Sequence, residues 1–373
     1  MIKVLADQNL YKIEQFIPEK AHVTLYGPQE GIPDLDGFDA FLVQTVTPLS
    51  KETLPNPPKR IKFIGTGSSG TDHIHNKYFE QKGITIADAK GCNAPAVAEY
   101  VITALLLWRE KHQPEKKIEK VGVIGAGKAG SAVIKLLQKF GIEYAAYDPP
   151  RAEVDAEFKS ATLDEVLDCP ILTFHVPLTK TGPYATFHWL DEAKLSGRKY
   201  RLIINAARGG VIDEKALLKA HTEKQVEHFV LDVWENEPDF NTEMAERTFI
   251  ATPHIAGYSE QSKINATQII CDKLATYFEL DHFTTPHKML PKIVEMEPIK
   301  YDLKKILRRL NPILEYEKAF QALSYHRNKK LLFRKLRNDF PFRFEYPYLK
   351  ISNELFNGFE ELRTLGVQPK VKS

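Results

Sequence analysis

The sequence predicts an α/β protein: two doubly wound parallel-sheet domains followed by a small α+β module. Three observations carry this. Short β-branched or aromatic runs alternate with helical stretches through the first quarter of the chain. A glycine-rich turn between a strand and a helix opens a second such series after Lys120. Beyond about Pro291 the composition shifts to Lys, Arg, Phe and Tyr, with no further glycine pattern.

In the first domain, Ile2–Ala6, His22–Tyr26, Ala40–Thr45, Lys62–Thr66 and Thr85–Ala89 read as strands, each bounded by Gly, Pro or Asp. Asn93 then caps a long helix with Pro95 in its first turn. Val97, Tyr100, Val101, Ala104, Leu105 and Trp108 recur at helical spacing, and Pro114 ends the run. This helix carries the chain into the second domain.

The second domain opens on the strand before Gly125. Its first helix presents Val133, Ile134, Leu137 and Phe140 inward and stops at Gly141. Ile171–Val176, Arg201–Ala206, His228–Val233 and Phe249–Thr252 follow as near-continuous apolar strands, as a sheet covered on both faces requires. After Tyr258 a helix to about Leu280 is expected to return the chain to the first domain. The expected division is residues 1–93 with 259–290, residues 94–258, and a third module at 291–373.

The 373 residues are 43% hydrophobic and 27% charged, ordinary for a globular protein with ample core. A net charge of +2 implies no general polyanion partner, so no nucleic acid is expected. Apolar runs such as Val101–Trp108 are too short to span a bilayer, so no membrane is expected either. The N-terminus runs straight into a strand without a signal-peptide pattern. Cys92, Cys169 and Cys271 have neither metal spacing nor a disulfide framework. They read as packing residues in a reducing cytoplasm, and no metal is expected.

The pattern Gly125-Ala126-Gly127-Lys128-Ala129-Gly130, between a strand and a helix, is a Rossmann dinucleotide fingerprint. Gly125 allows the tight turn, Gly127 lets the backbone approach a pyrophosphate, and Gly130 lets helix and strand pack closely. Amides at the helix start face the phosphates. Asp148, at the end of the next strand, suits the ribose hydroxyls and repels a 2′-phosphate, so the expected cofactor is NAD.

Three motifs follow later strands of this domain: Asn205-Ala206-Ala207-Arg208-Gly209-Gly210, Leu231-Asp232-Val233-Trp234-Glu235-Asn236-Glu237-Pro238, and Thr252-Pro253-His254-Ile255-Ala256-Gly257-Tyr258. They offer a guanidinium, a carboxylate and an imidazole. Hydride removal from a 2-hydroxy acid needs all three. His254 is the natural base for the hydroxyl proton. Arg208 can grip a carboxylate with two parallel bonds. Glu237 would orient His254 and stabilise its protonated form.

On these motifs, residues 1–285 resemble the D-isomer-specific 2-hydroxyacid dehydrogenase family. The resemblance implies a flavodoxin-like substrate domain and a Rossmann NAD domain flanking a cleft. It implies Arg208, Glu237 and His254 as the catalytic set. Finer likenesses lie at Tyr147–Arg151, Thr173–Leu178 with Gly182-Pro183-Tyr184, Lys90–Ala94, Gly65–His73 and, more loosely, Phe333–Phe340 and Arg343–Tyr346. These imply a small phosphorylated 2-hydroxy acid as substrate and a C-terminal dimerisation module, hence a homodimer. Carried over by position, Thr45, Thr66 and Tyr258 contact substrate. Ala126, Gly127, Asp148, His175, Val176, Ala206, Ala207, Arg208, Asp232 and Gly257 contact NAD. The backbone of Gly67, Ser68 and Ser69 suits a nest for the substrate carboxylate.

One departure stands out. Val43-Gln44-Thr45-Val46-Thr47 has Gln44 where the family usually has Arg, which removes a candidate phosphate anchor. Two other readings remain at this point: a dehydrogenase of glycerate or phosphoglycerate type, and an NADH-sensing corepressor-like binding protein. The latter can retain the Arg–Glu–His set, and fold alone does not exclude it.

Overall fold

The computed structural model describes residues 1–281, 290–296 and 302–370. The chain divides into two compact units: Met1–Asn93 with Ser259–Met289, and Ala94–Tyr258 with Leu290–Ser373.

The first unit holds five parallel strands: β1 (Ile2–Asp7), β2 (Ala21–Tyr26), β3 (Ala40–Val43), β4 (Phe63–Thr66) and β5 (Thr85–Asp88). Their order is β2-β1-β3-β4-β5. This is the flavodoxin-like doubly wound arrangement, with its switch point between β1 and β3. The central strands β3 and β4 are buried along their whole length, which is why they read as unbroken apolar runs. β3 stops at Val43 rather than Thr45, because the chain turns there, with the Thr47 amide donating to the Gln44 carbonyl at 3.0 Å.

Helix Glu260–Tyr277 completes this unit. Ser259 and Ser262 form a reciprocal cap at its start. Its Ile264, Ile270, Cys271 and Leu274 join Val4, Ala6, Leu42 and Phe63 in one core.

The second unit holds β6 (Val121–Ile124), β7 (Tyr144–Tyr147), β8 (Ile171–Phe174), β9 (Tyr200–Asn205), β10 (Val226–Leu231) and β11 (Ile250–Ala251). All are parallel, in the order β11-β10-β9-β8-β6-β7. The chain reverses direction across the sheet between β6 and β8. Open α/β sheets bind ligands at such a point, beyond the carboxyl ends of the strands.

Helix Ala94–His112 is apolar nearly all round and buried from Ala94 to Trp108 apart from Pro95. A helix of that kind must be covered on every side. The six-stranded sheet and helix Lys128–Lys139 supply part of the cover. Residues beyond Leu290 supply the rest, through Leu303, Ile306, Leu307, Tyr346 and Leu349 in the same core. The C-terminal segment is α+β. Helices Leu303–Leu310, Ile313–Gln321 and Lys329–Asn338 accompany a parallel sheet of β12 (Lys292–Ile293), β13 (Leu349–Ile351) and β14 (Gln368–Pro369).

Polar bonds fix this segment to the long helix. Glu99 and Arg343 are both buried and lie 2.5 Å apart. Arg343 also donates to the Ala96 carbonyl at 2.9 Å, and the Tyr346 amide donates to Glu99 at 2.8 Å. Burial pushes the Glu99 carboxyl up, while Arg343 opposes that shift. Cys92, Cys169 and Cys271 are buried free thiols. Among the described residues no group of side chains could hold a metal ion, and no helix is long and apolar enough to cross a membrane.

Candidate active site

The glycine turn after β6 has the shape a dinucleotide needs. Gly125 adopts φ +89°, and a Cβ there would stand 2.7 Å from Val176 Cγ1 and 2.8 Å from the His175 carbonyl carbon. A Cβ on Gly130 would run into the Gly125 carbonyl. A Cβ on Gly127 would meet nothing within 4 Å, so that backbone faces open space. The turn is therefore closed on the protein side and open on the other, as a phosphate cradle at a helix N-terminus must be.

Asp148 braces the same turn. Its Oδ2 accepts from the Ala126 amide at 2.7 Å, and its Oδ1 caps helix Pro149–Val154 through the Arg151 amide at 3.1 Å. The nearby Arg151 guanidinium is committed to the Ala126 carbonyl at 2.7 Å, Ser131 at 3.0 Å and Asp155 at 2.9 Å. It is engaged within the fold rather than presented to a 2′-phosphate.

Across the switch point, His175 bonds Thr173 Oγ1 through Nε2 at 2.9 Å. Its Nδ1 is buried without a partner among the described residues. Burial pushes this imidazole down to about 3, so it is neutral. A buried polar atom without a partner, beside the glycine cradle, fits a dinucleotide bound there.

The three downstream motifs meet at the same sheet edge. After β9, buried Asn205 ties its loop together: Oδ1 accepts from the Ala207 amide at 3.1 Å, and Nδ2 donates to the Arg208 carbonyl at 3.1 Å. Ala206 and Ala207 thereby have fixed backbone positions. A Cβ on Gly209 would collide with the Trp234 carbonyl, so the Arg208 loop lies directly on the Glu237 loop.

Glu237 Oε1 and His254 Nδ1 lie 2.5 Å apart, and Glu237 Oε2 accepts from the Trp234 amide at 3.2 Å. Burial pushes the Glu237 carboxyl up. The His254 imidazole, the Arg337 guanidinium and the Trp234 amide outweigh it and hold the group below its ordinary value. A carboxylate on Nδ1 leaves Nε2 as the nitrogen able to exchange a proton with a ligand.

His254 sits in the left-handed region at φ +60°. That costs roughly 1–3 kcal/mol for a residue with a side chain. Asp232, only 1% exposed, enforces it. The Asp232 carbonyl accepts from the His254 amide at 2.7 Å. Its carboxylate accepts from Ile255 and Ala256 amides, each at 2.8 Å, and from Thr252 Oγ1 at 2.6 Å. Tyr100, from the long helix, bonds Thr252 at 2.7 Å. Asp232, expected as a cofactor contact, is thus engaged in holding the imidazole turn. Gly257 and Tyr258 continue that turn, with the Tyr258 amide donating to the Ile255 carbonyl at 2.8 Å.

In the first unit, the expected substrate residues gather at the carboxyl ends of β3 and β4. Thr45 is exposed. Thr66 is fully buried, and its hydroxyl is shared by Ser68 Oγ at 3.1 Å and His73 Nε2 at 3.0 Å. It braces the turn from inside. The Gly67 amide donates to the Val43 carbonyl at 3.0 Å, so it is not available to a nest. The amides of Ser68 and Ser69 remain the candidates.

Sequence reading missed one participant. Arg337, on helix Lys329–Asn338, donates through Nε to the Tyr258 hydroxyl at 3.1 Å, and its charge reaches Glu237. It lies 79 residues from Tyr258, so no local pattern could have joined them.

Comparison with known proteins agrees with this geometry. Residues 104–256 match the family described as D-isomer specific 2-hydroxyacid dehydrogenase, NAD binding domain. The erythronate-4-phosphate dehydrogenase of Bacteroides thetaiotaomicron is 34% identical over 350 residues, 92% of this chain and 97% of that one. Its namesake from Photorhabdus laumondii is 41% identical over 270 residues, 71% of each chain. Among solved structures, the Aquifex aeolicus D-lactate dehydrogenase complexed with NAD and lactic acid is 25% identical. It has a TM-score of 0.58 and covers 74% of this chain and 95% of its own.

Proposed function

The chain belongs to the D-isomer-specific 2-hydroxyacid dehydrogenase family, and from that premise we propose that it oxidises 4-phospho-D-erythronate to 2-oxo-3-hydroxy-4-phosphobutanoate with NAD, in pyridoxal 5′-phosphate biosynthesis. The observation that carries the reaction type is the 2.5 Å contact of His254 with Glu237, on the sheet edge that also bears the glycine turn. Likeness to erythronate-4-phosphate dehydrogenases along nearly the whole chain supports the substrate.

NAD supplies the hydride acceptor. His254 Nε2 takes the C2 hydroxyl proton as the C–H bond breaks. Glu237 keeps the proton on Nδ1 and stabilises the imidazolium that forms. Arg208 holds the substrate carboxylate and the reacting oxygen. Tyr258, Thr45 and the Ser68 amide contribute further substrate contacts, while Thr66 and Gly67 brace the turn that presents Ser68. Gly125, Ala126, Gly127, Gly130, Asp148, His175, Val176, Ala206, Ala207 and Gly257 would hold the cofactor. Asp232 acts beside it through the imidazole turn.

The protein works as a homodimer in the cytoplasm. Tyr325 and Leu331, in the C-terminal segment, are 80% and 64% exposed, which suits burial against a second copy. The three unpaired thiols suit a reducing compartment.

A substrate panel tests this reading: 4-phosphoerythronate, 3-phosphoglycerate, glycerate and lactate, with a 2-oxo acid present to recycle bound cofactor. The highest kcat/KM should fall to 4-phosphoerythronate. A preference for 3-phosphoglycerate or lactate would replace the assignment.

A further inference from the structure

We infer that Arg337 binds the phosphate end of the substrate beside Tyr258, so that the C-terminal segment completes the substrate site as well as covering the core. The inference rests on the phosphorylated substrate proposed above and deepens it.

A phosphorylated 2-hydroxy acid is anionic at both ends, with the reacting carbon near one of them. Arg208 answers the carboxylate. A second cation is needed for the phosphate, and a guanidinium is the side chain that suits it best. Gln44, the neutral residue after β3, supplies no charge.

The positions of other guanidiniums narrow the choice within the second unit. Arg151 is bonded to Asp155, Ser131 and a backbone carbonyl. Arg343 is closed in against Glu99, and Arg109 lies between Glu110 and Glu361. Arg337 differs from these. Among the described residues no carboxylate lies within ion-pair distance of it. Its one hydrogen bond there, to Tyr258, uses Nε. Both Nη groups therefore keep their donors.

Its place is as informative as its charge. Tyr258 stands four residues after His254 in the same turn, and Glu237, which holds His254, feels the Arg337 charge. A cation that sits beside the acid/base pair without a partner carboxylate, on a partly exposed side chain, is arranged for an anion that arrives with the ligand. Its bond to Tyr258, through Nε, fixes the guanidinium against that ring and leaves the Nη groups as the donors for the anion.

The test compares Arg337→Ala, Arg337→Gln and Arg337→Lys with the parent protein in its NAD-bound form. Two readouts are needed. The first is KM and kcat for 4-phosphoerythronate and for unphosphorylated erythronate. Arg337→Ala and Arg337→Gln should raise KM for the phosphorylated substrate roughly 10–100-fold, the loss of a charge-assisted contact. Because Arg337 also touches Tyr258 and its charge reaches Glu237, kcat/KM for erythronate should fall too, but by at least about 10-fold less than for the phosphorylated substrate. Arg337→Lys should recover part of the loss. The second readout is binding of inorganic phosphate by calorimetry, which needs no turnover. It should weaken by at least about 10-fold in Arg337→Ala.

Equal losses with both substrates, or phosphate binding that ignores Arg337, would overturn the subsite. If the parent fails to oxidise 4-phosphoerythronate but phosphate binding still depends on Arg337, the substrate assignment falls and the subsite stands. If Ala and Gln variants fail to fold, the Lys variant decides by the same two ratios.

Discussion

Glu237 and His254 meet at 2.5 Å through Oε1 and Nδ1, on adjacent turns beyond β10 and β11. The contact assigns the two ring nitrogens different work. Nδ1 faces a carboxylate whose pKa is held below its ordinary value, and in the proposed reaction Nε2 meets the substrate. His254→Ala should cost roughly 10²–10⁴ in kcat with NAD affinity nearly unchanged, since acid/base participation contributes about that much. Glu237→Gln should lose a large part of the same factor, because an amide no longer fixes the tautomer. Stopped-flow turnover together with NAD titration checks both.

Asp232 makes a separate prediction. It holds His254 at φ +60° through two backbone amides and Thr252. Asp232→Asn places an amide N–H where one of those donors needs an acceptor. Such a buried mismatch costs about 1–3 kcal/mol. Turnover should fall at least ~10-fold even where the thermal midpoint moves little, since a small displacement of a reacting group is expensive. Unchanged kcat in a folded variant would remove Asp232 from the positioning role.

The glycine turn bears on cofactor choice. Asp148 binds the Ala126 amide, and Arg151 binds the Ala126 carbonyl. Asp148→Ala removes the charge that repels a 2′-phosphate and loosens the turn. NAD affinity should drop and the NAD-to-NADP ratio of kcat/KM should narrow by roughly 10-fold or more, the scale of one charged contact. A ratio that stays the same would mean that Asp148 does not select the cofactor.

Stability should depend on the Glu99–Arg343 pair. Removing one partner leaves a buried charge alone, which typically costs about 3–5 kcal/mol. Arg343→Ala should therefore lower the denaturant midpoint much more than Lys330→Ala, whose side chain is 63% exposed. Equal shifts would place the pair among neutral contacts.

Acid should weaken the fold through its histidines. Burial pushes His73 down to about 4 and His175 down to about 3. Both stay neutral in the folded chain while the unfolded chain takes up protons from about pH 6.5. The unfolded state then binds more protons, so stability is fullest above that pH and falls as pH drops toward 4 and then 3. His73→Asn should flatten the upper part of the slope in thermal melts. A slope that is unchanged would assign the acid sensitivity to other groups.

Much of this architecture is legible in the sequence because it is local. Alternating apolar runs mark β1 to β11, and strict spacing ties Gly125, Gly127 and Gly130 to one strand and one helix. Strand ends were less legible. β3 stops two residues short of its apolar run because Gln44 begins a turn. Two features depend on partners distant in sequence: the backbone bonds of Asp232, 23 and 24 residues on, and the reach of Arg337 to Tyr258, 79 residues back. Periodicity reports which face of an element is buried. It does not report which polar groups meet once separate elements pack.

The proposed reaction moves a hydride from C2 of a phosphorylated 2-hydroxy acid to NAD. Its most direct test uses 4-phospho-D-erythronate carrying deuterium at C2, with NAD and the purified protein. Mass spectrometry of the nicotinamide should find one deuterium per reduced cofactor and a 2-oxo-3-hydroxy-4-phosphobutanoate product. Reduced cofactor without deuterium, or no reduction with this substrate while another 2-hydroxy acid is consumed, would contradict it.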